Sequence, residues 1–381
     1  MAIIYLQNTF PTLQKKTSTF PTKLIKLLFI NTKACWLVFC SSRYRGFLHN
    51  LPERHMKIFL LLFVFSAFNV VGGTFLLNDY NLITLGDFSS NSEVEGKTFV
   101  GGDLIGNQSH NFGIKLTSPY DGPTSQVAGN VAVGSPLSVK GGMKVGLNNN
   151  VQWGSQTKIN NRHINNVDWV ASSDLDSIRD SYALELKSNS QEFRDMASNS
   201  NVTIPSGQPS GYKFNVNQSL GSNDYAVFDI GQWGLFKNTK VQQIEMLANN
   251  ISSLAGIIIN IGGVNANWSN SGNMVGSIFT SLAGREKILW NFYEAETIQL
   301  HAHSFMGSIL APYATVTSAN PIEGSLGVLS LLTTSEVHLP NSVIETTVIS
   351  VPEPNTKYLM VIALFLMYLR LKLFRAVCKH E

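Results

Sequence analysis

Apolar residues along Lys287–Leu332 (KILWNFYEAETIQLHAHSFMGSILAPYATVTSANPIEGSLGVLSLL) come in pulses of three to five, cut by Gly-Ser, Ala-Pro and Asn-Pro breaks. No pulse is long enough for a helix, so the pattern predicts short strands. Two phrases recur: Phe305-Met306-Gly307-Ser308-Ile309 and, seventeen residues on, Ile322-Glu323-Gly324-Ser325-Leu326. A third copy, Met274-Val275-Gly276-Ser277-Ile278, lies upstream. Strands that return at such intervals with glycine at one point suit a stack of β-rungs, each burying its inward side chains on its neighbours.

The first half carries a related pattern. Val100-Gly101-Gly102-Asp103-Leu104, Val127-Ala128-Gly129-Asn130-Val131 and Val139-Lys140-Gly141-Gly142-Met143 share Val-x-Gly-x-apolar. Glycine suits tight corners that need positive φ. Further strands are predicted at YAVFDI, VQQIEML and AGIIINIGG, the last apolar enough to be buried on both faces.

Residues 169–199 break the style, with no glycine or proline. Leu175, Ile178, Tyr182, Leu186, Phe193 and Met196 fall mostly at three- and four-residue steps, one stripe of a helix. Ser173 followed by Asp176 resembles a capping box. A helix over 173–198 would be ~39 Å long, roughly eight strand spacings of about 4.8 Å. The prediction is an irregular right-handed β-solenoid with one long α-helix packed alongside.

The two ends differ from this body. Met56-Lys57 opens onto IFLLLFVFSAF, the length of a signal-peptide apolar region, and Val71-Gly72-Gly73 supplies small residues for cleavage near Gly73. Residues 1–55 then read as an over-extended reading frame, a hypothesis that ends if the native precursor shows residues before Met56; a basic presequence is the alternative. Residues 56–73 are the signal peptide and 74–350 the exported body. At the other end Val351-Pro352-Glu353-Pro354 precedes an apolar run, Tyr358–Leu369, then Arg370, Lys372, Arg375 and Lys379. If Arg370 and Lys372 snorkel, 17 residues reach Phe374, the short limit for crossing a bilayer. Positive charge after the run puts that end in the cytoplasm and the body outside.

Charge sharpens the division. The whole chain is +3, but Thr74–Ser350 holds 14 Lys+Arg against 22 Asp+Glu, a net −8. Such a body lacks the basic footprint of a nucleic-acid binder. Cys35, Cys40 and Cys378 all lie outside it, which excludes a disulfide framework or a cysteine-based metal site there.

The tail, residues 351–381, resembles a PEP-CTERM sorting signal: a Val-Pro-Glu-Pro motif, a short transmembrane helix and a basic cluster. The resemblance implies an exosortase-type processing enzyme as partner and a destination at the cell surface or in the extracellular matrix. Here the basic residues are spread among Leu371, Leu373 and Phe374, so permanent anchoring is the alternative to cleavage. The body from about Asn81 to Leu339 resembles the choice-of-anchor A adhesive domain. The matching phrases are YNLITLGDFSSNSEVEGKTFVGGDL, ILWNFYEAETIQL and FMGSILAPYATVTSANPIEGSLGVLSL. This resemblance implies a surface adhesin with a β-helix-like fold, and the β–helix–β order is also similar to bacterial ice-binding domains.

Candidate chemistry is sparse. His301 and His303, with Glu294 and Glu296 before them, have the alternation of half a metal site but no third ligand at a diagnostic spacing. Asp174 and Asp176 lack the rest of a calcium loop and read as first-turn helix residues. Glu323, Glu336 and Asp229 are the carboxylates available to a glycoside-cleaving pair. Gly276-Ser277, Gly307-Ser308 and Gly324-Ser325 read as corners, not nucleophiles. No catalytic residue, cofactor or metal is assigned. Aromatic candidates for ligand contact are Trp153, Trp233, Trp268 and Tyr313, with Tyr212 beside them. The expected role is adhesion to matrix polysaccharide or a host matrix protein. A carbohydrate-active enzyme is the alternative, and ice binding comes third because Thr315 and Thr317 alone make a poor threonine array.

Overall fold

The structure, a computed structural model, describes residues 75–345 apart from 107–109, 121, 135, 155–156, 160–161, 164–166, 204–209, 231–240, 269–271 and 302. These residues form a mainly β unit around a curled parallel sheet, with few helices. Three parallel ladders organise it. In the first half, β1 (Leu82–Thr84), β3 (Thr98–Val100), β6 (Pro123–Val127), β9 (Gly142–Gly146) and β13 (Val167–Val170) lie side by side on the first ladder. The second holds β2 (Phe88–Ser90), β4 (Leu104–Gly106), β7 (Val131–Val133) and β10 (Val151–Gln152). The third holds Val94, β5 (His110–Phe112), β8 (Leu137–Val139) and β11 (Lys158–Ile159). Each pass of the chain thus lays one strand on each ladder.

The second half extends the same ladders from the other side. β16 (Tyr225–Asp229), β18 (Gly256–Ile261), β21 (Ile288–Phe292), β24 (Ser308–Ser318) and β26 (Leu326–Thr333) continue the first, and β26 pairs with β1. β19 (Asn265–Trp268), β22 (Thr297–Leu300) and the later halves of β24 and β26 continue the second, with Leu331–Thr333 against β2. β23 (Phe305–Met306), β25 (Ile322–Glu323) and β27 (Val337–His338) continue the third, where Val337 bridges Val94. Beside these, β12 (Arg162–His163) pairs with β11, and β14 (Asn201–Thr203), β15 (Ser210–Asn215), β17 (Val241–Leu247) and β20 (Asn273–Val275) form a sheet of four. The last pass therefore lies against the first. The chain starts mid-stack, builds to one end, crosses to the other, and returns to the middle.

The crossing element is the long helix α2 (Ser172–Asp195), which follows α1 (Leu76–Asp79) in the chain. Its 24 residues span ~36 Å, against ~43 Å for the nine steps of the ten-strand first ladder. The predicted stripe is the packed one: Leu175, Leu186 and Phe193 are buried, and Ile178, Tyr182 and Met196 pack at the margin. They cover the outward side chains of the first ladder, among them Ile83, Phe99, Val227, Ile258, Leu289 and Leu310. AGIIINIGG, as β18, is indeed buried on both faces. The capping box is corrected: Ala171 is the N-cap and makes no side-chain cap, so Ser173 lies inside the helix. Asp174 does sit in the first turn, and Asp176 pairs with Arg179 at 2.8 Å.

The glycine phrases mark corners, with two corrections. Gly102-Asp103 and Gly129-Asn130 both turn from the first ladder to the second, and the unrecognised Gly86-Asp87 is their third member. Asp87 Oδ1 accepts from the Asp103 N–H (2.8 Å), Asp103 Oδ1 from Asn130 N–H (2.7 Å), and Asn130 Oδ1 from Asn150 N–H (2.9 Å). A Cβ on Gly129 would sit 2.4 Å from the Gly102 backbone, so the passes stack too closely there for any side chain. Gly141-Gly142 belongs to a different corner, between β8 and β9. Gly307 and Gly324 do stack, with Ser325 N–H donating to Ser308 Oγ at 3.1 Å. After Gly276 the chain instead enters two short helices, α3 (Ser277–Thr280) and α4 (Leu282–Arg285), before β21.

Inside the ladders the halves pack differently. The first is filled largely by valines, including Val100, Val127, Val131, Val133 and Val145. The second holds an aromatic cluster in which Phe305 lies 4.8 Å from Trp268 and 5.2 Å from Trp290 between ring centroids.

Candidate functional site

The second ladder presents its outward side chains to solvent. One column runs Asn267, Gln299, Thr317, Leu332, Ser89, Ile105, Ala132, Gln152. A shorter one runs Asn265, Thr297, Thr315, Ser330. Strand spacing sets the steps within a column at about 4.8 Å, and the pleat sets the columns roughly 7 Å apart. Between them Ala266, Ile298, Val316 and Leu331 point inward and are buried, which holds the outward positions in one plane. Thr297 Oγ1 lies 2.7 Å from Asn265 Oδ1. Neither column carries a charge. The result is a regular array of hydroxyls, amides and small apolar groups.

The third ladder carries a charged cluster where the last pass meets the first. His338 Nδ1 lies 2.7 Å from Glu323 Oε1, and its Nε2 contacts Glu336. Arg285 reaches the other oxygen of Glu323 at 2.5 Å. Glu95, on the first pass, accepts from the Leu339 N–H at 2.9 Å. The Glu323 bond, then that of Glu336, push His338 up to about 9 against the opposing effect of burial. The same bond holds Glu323 below its usual range. With both ring nitrogens engaged, His338 is a charged clamp at neutral pH rather than a free proton acceptor. Of the sequence-stated carboxylates, Glu323 and Glu336 thus meet through His338, while Asp229 stands on β16 at the end of the first ladder. His301 and His303 are exposed beyond the end of β22, not on it. Among the described residues no group of three or more His, Cys, Asp or Glu is placed to hold a metal ion.

The aromatic candidates separate. Trp268 and Tyr212 are buried in the core, which removes them as ligand contacts: their alternating strands turn them inward. Tyr313 is half-buried, with Lys187 Nζ 5.2 Å from its ring centroid. Trp153 is half-buried beside Trp169, ring centroids 6.4 Å apart. Trp233 lies outside the described residues, as do Val351, Pro352, Glu353 and Pro354 and the flanking Arg370, Lys372 and Arg375. Among the described residues no helix is long and apolar enough to cross a membrane.

Three features went unread in the sequence: His338, Trp169, and the buried polar group under α2. In that group Asn291 Nδ2 donates to Asn260 Oδ1 and to the Ser190 carbonyl, both at 2.8 Å. Asn260 Nδ2 donates to the Phe193 carbonyl at 2.7 Å. Asn189 and Ser190 fall three and four residues after Leu186, so the helical stripe itself signalled their burial.

Compared with known proteins, residues 75–339, more than half of the chain, match a family described as "Putative Ice-binding-like adhesive domain". No curated protein and no solved structure matches the chain.

Proposed function

The chain belongs to that family of ice-binding-like adhesive domains, and we propose that it is an exported, non-catalytic adhesin of a cell surface or its polysaccharide matrix. The observation that carries this is the open second ladder: a regularly spaced, uncharged array left bare while the first ladder is roofed by α2. Such an array suits a large repeating surface better than a small molecule, which needs a concave site. In this reading the passes are turns of an irregular right-handed β-helix. The tail from Val351 is the sorting and membrane-anchoring segment, served by an exosortase-type enzyme.

The test is retention of the full-length protein on an array of polysaccharides and collagens, with Thr315→Lys and Gln299→Lys beside wild type. The proposal expects retention by at least one class and its loss in the lysine variants. Equal retention of all three proteins removes the open face from the account, and release of reducing sugar from any polysaccharide favours a carbohydrate-active enzyme. Ice is a second reading, favoured by one observation: Thr297 stands beside Thr315, next to Thr317, in register on the open face. Thermal hysteresis by wild type, lost in Thr315→Lys, would select it.

A further inference from the structure

Outside the strands, which begin and finish mid-stack, the two extremities of the described chain both reach toward one end of the stack. The Phe75 ring packs 5.8 Å from that of Phe193, in the last turn of α2. Residues 341–345 run toward the same end: the Val343 N–H donates to the Glu286 carbonyl, Ile344 lies over Gly256, and the Glu345 carbonyl accepts from Tyr225 Oη at 2.6 Å. Tyr225 belongs to β16, the terminal strand of the first ladder. The opposite end is formed by β13 and β10, ~43 Å away over the nine steps of the first ladder. If the chain is tethered by its tail, that second end faces outward.

The outward end has its own chemistry. Trp169 is in register with Val145, and Trp153 follows Gln152, which is in register with Ala132. Trp169, on the last strand of the first ladder, and Trp153, just after the last strand of the second, therefore stand at the ends of core columns. There they lie 6.4 Å apart at 42°, with Trp169 41 % exposed. The corner ladder of Asp87, Asp103 and Asn130 also finishes here, in exposed Asn150, and Gln152 is exposed beside it. Two ring faces flanked by primary amides form a surface that stacks on the apolar face of a pyranose and bonds its hydroxyls. The body's net −8 repels acidic polymers, which narrows the class.

We propose that Trp153 and Trp169, with Asn150 and Gln152, form a contact site at the end opposite the tether that takes the sugar rings of a neutral polysaccharide. This deepens the adhesive reading and rests on it. Because the rings also close the core, leucine is the informative replacement: it keeps apolar cover and removes the stacking face.

The experiment uses the full-length protein, titrated calorimetrically with cellohexaose, dextran and alginate, comparing wild type, Trp169→Leu, Trp153→Leu and Thr315→Lys. Wild type should bind a neutral glycan and not alginate. Trp169→Leu should weaken that binding at least tenfold with Tm unchanged. Loss in Thr315→Lys but not in the tryptophan variants overturns this inference while sparing the open-face adhesin. Wild type that binds only collagen or only alginate overturns it too. So does dimerisation in sedimentation that Trp169→Leu abolishes, since the end would then pair with a second copy.

Discussion

The first and second ladders are laid down by the same passes of the chain, yet one is roofed and the other open. One outward side chain per strand makes the difference. On the first ladder that column reads Leu310, Gly327, Ile83, Phe99, then Gln126, Lys144 and Asp168 toward the far end. On the second it reads Thr317, Leu332, Ser89, Ile105, Ala132 and Gln152. The inward columns are mainly apolar on both, with Thr84, Thr98 and Ser125 among them on the first and Ser90, Ser318 and Thr333 on the second. What a ladder faces is thus written in about a third of its residues, and α2 lies where those residues are large and apolar.

The sharpest way to break this contrast is to truncate matched positions on each face. Phe193→Ala should cost about 3–5 kcal/mol, since the ring is buried and packed edge-on to Phe75. Gln299→Ala, exposed on the open face, should stay within about 0.5 kcal/mol. Urea unfolding of both variants measures the difference, and similar costs would mean the two faces are not distinct.

The roof is not wholly apolar, which gives the next test. Asn291→Ala should cost about 2–3 kcal/mol, because it strips partners from Asn260, from Ser190 Oγ (2.6 Å) and from the Ser190 carbonyl. The double variant with Asn260→Ala should lose less than the sum of the single losses, as expected of one network. Additive losses in the same urea series would show that the two amides act separately.

The third ladder closes its outward column by charge pairing, neither roofed nor open. His338 ordinarily titrates near 6.5 and is raised to about 9, so its contribution is complete below about pH 6.5 and lost as pH rises through about 9. Glu323, held below its ordinary 4.5, contributes above that pH and loses its share as pH falls further. Between pH 6.5 and 9.5 wild type should lose about 1–3 kcal/mol relative to His338→Gln. Parallel pH profiles for the two proteins would leave the clamp without a role in stability.

Much of this was legible because the signals are local. The stripe Leu175–Phe193 gave the helix within three residues at its end, and its length matched the ladder it covers. The Gly-Ser phrases gave the stacking of β24 on β26. What could not be read is which corner a glycine serves. Val139-Lys140-Gly141-Gly142-Met143 copies the spacing of the first corner while turning between other ladders. A four-residue strand such as β19, Asn-Ala-Asn-Trp, is too short for alternation alone to tell inward from outward, and only the register places Trp268 inside. His338 escaped notice because its partner Glu323 arrives from β25, which only stacking brings beside β27.

The smallest expected effect tests the open face directly. Ile105 and Leu332 are 40 % and 45 % exposed, the large apolar members of a column that is otherwise polar apart from Ala132. Ile105→Thr and Leu332→Thr place a β-branched residue suited to a strand and exchange exposed apolar surface for a hydroxyl. If the face meets only water in the isolated chain, each should move stability by no more than about 0.5 kcal/mol. A loss nearer 2 kcal/mol, the scale of burying such a side chain, would mean that something covers this ladder in the folded protein. The open array would then be an internal surface, and the contrast with the helix-covered ladder would dissolve at the one point where it bears on binding.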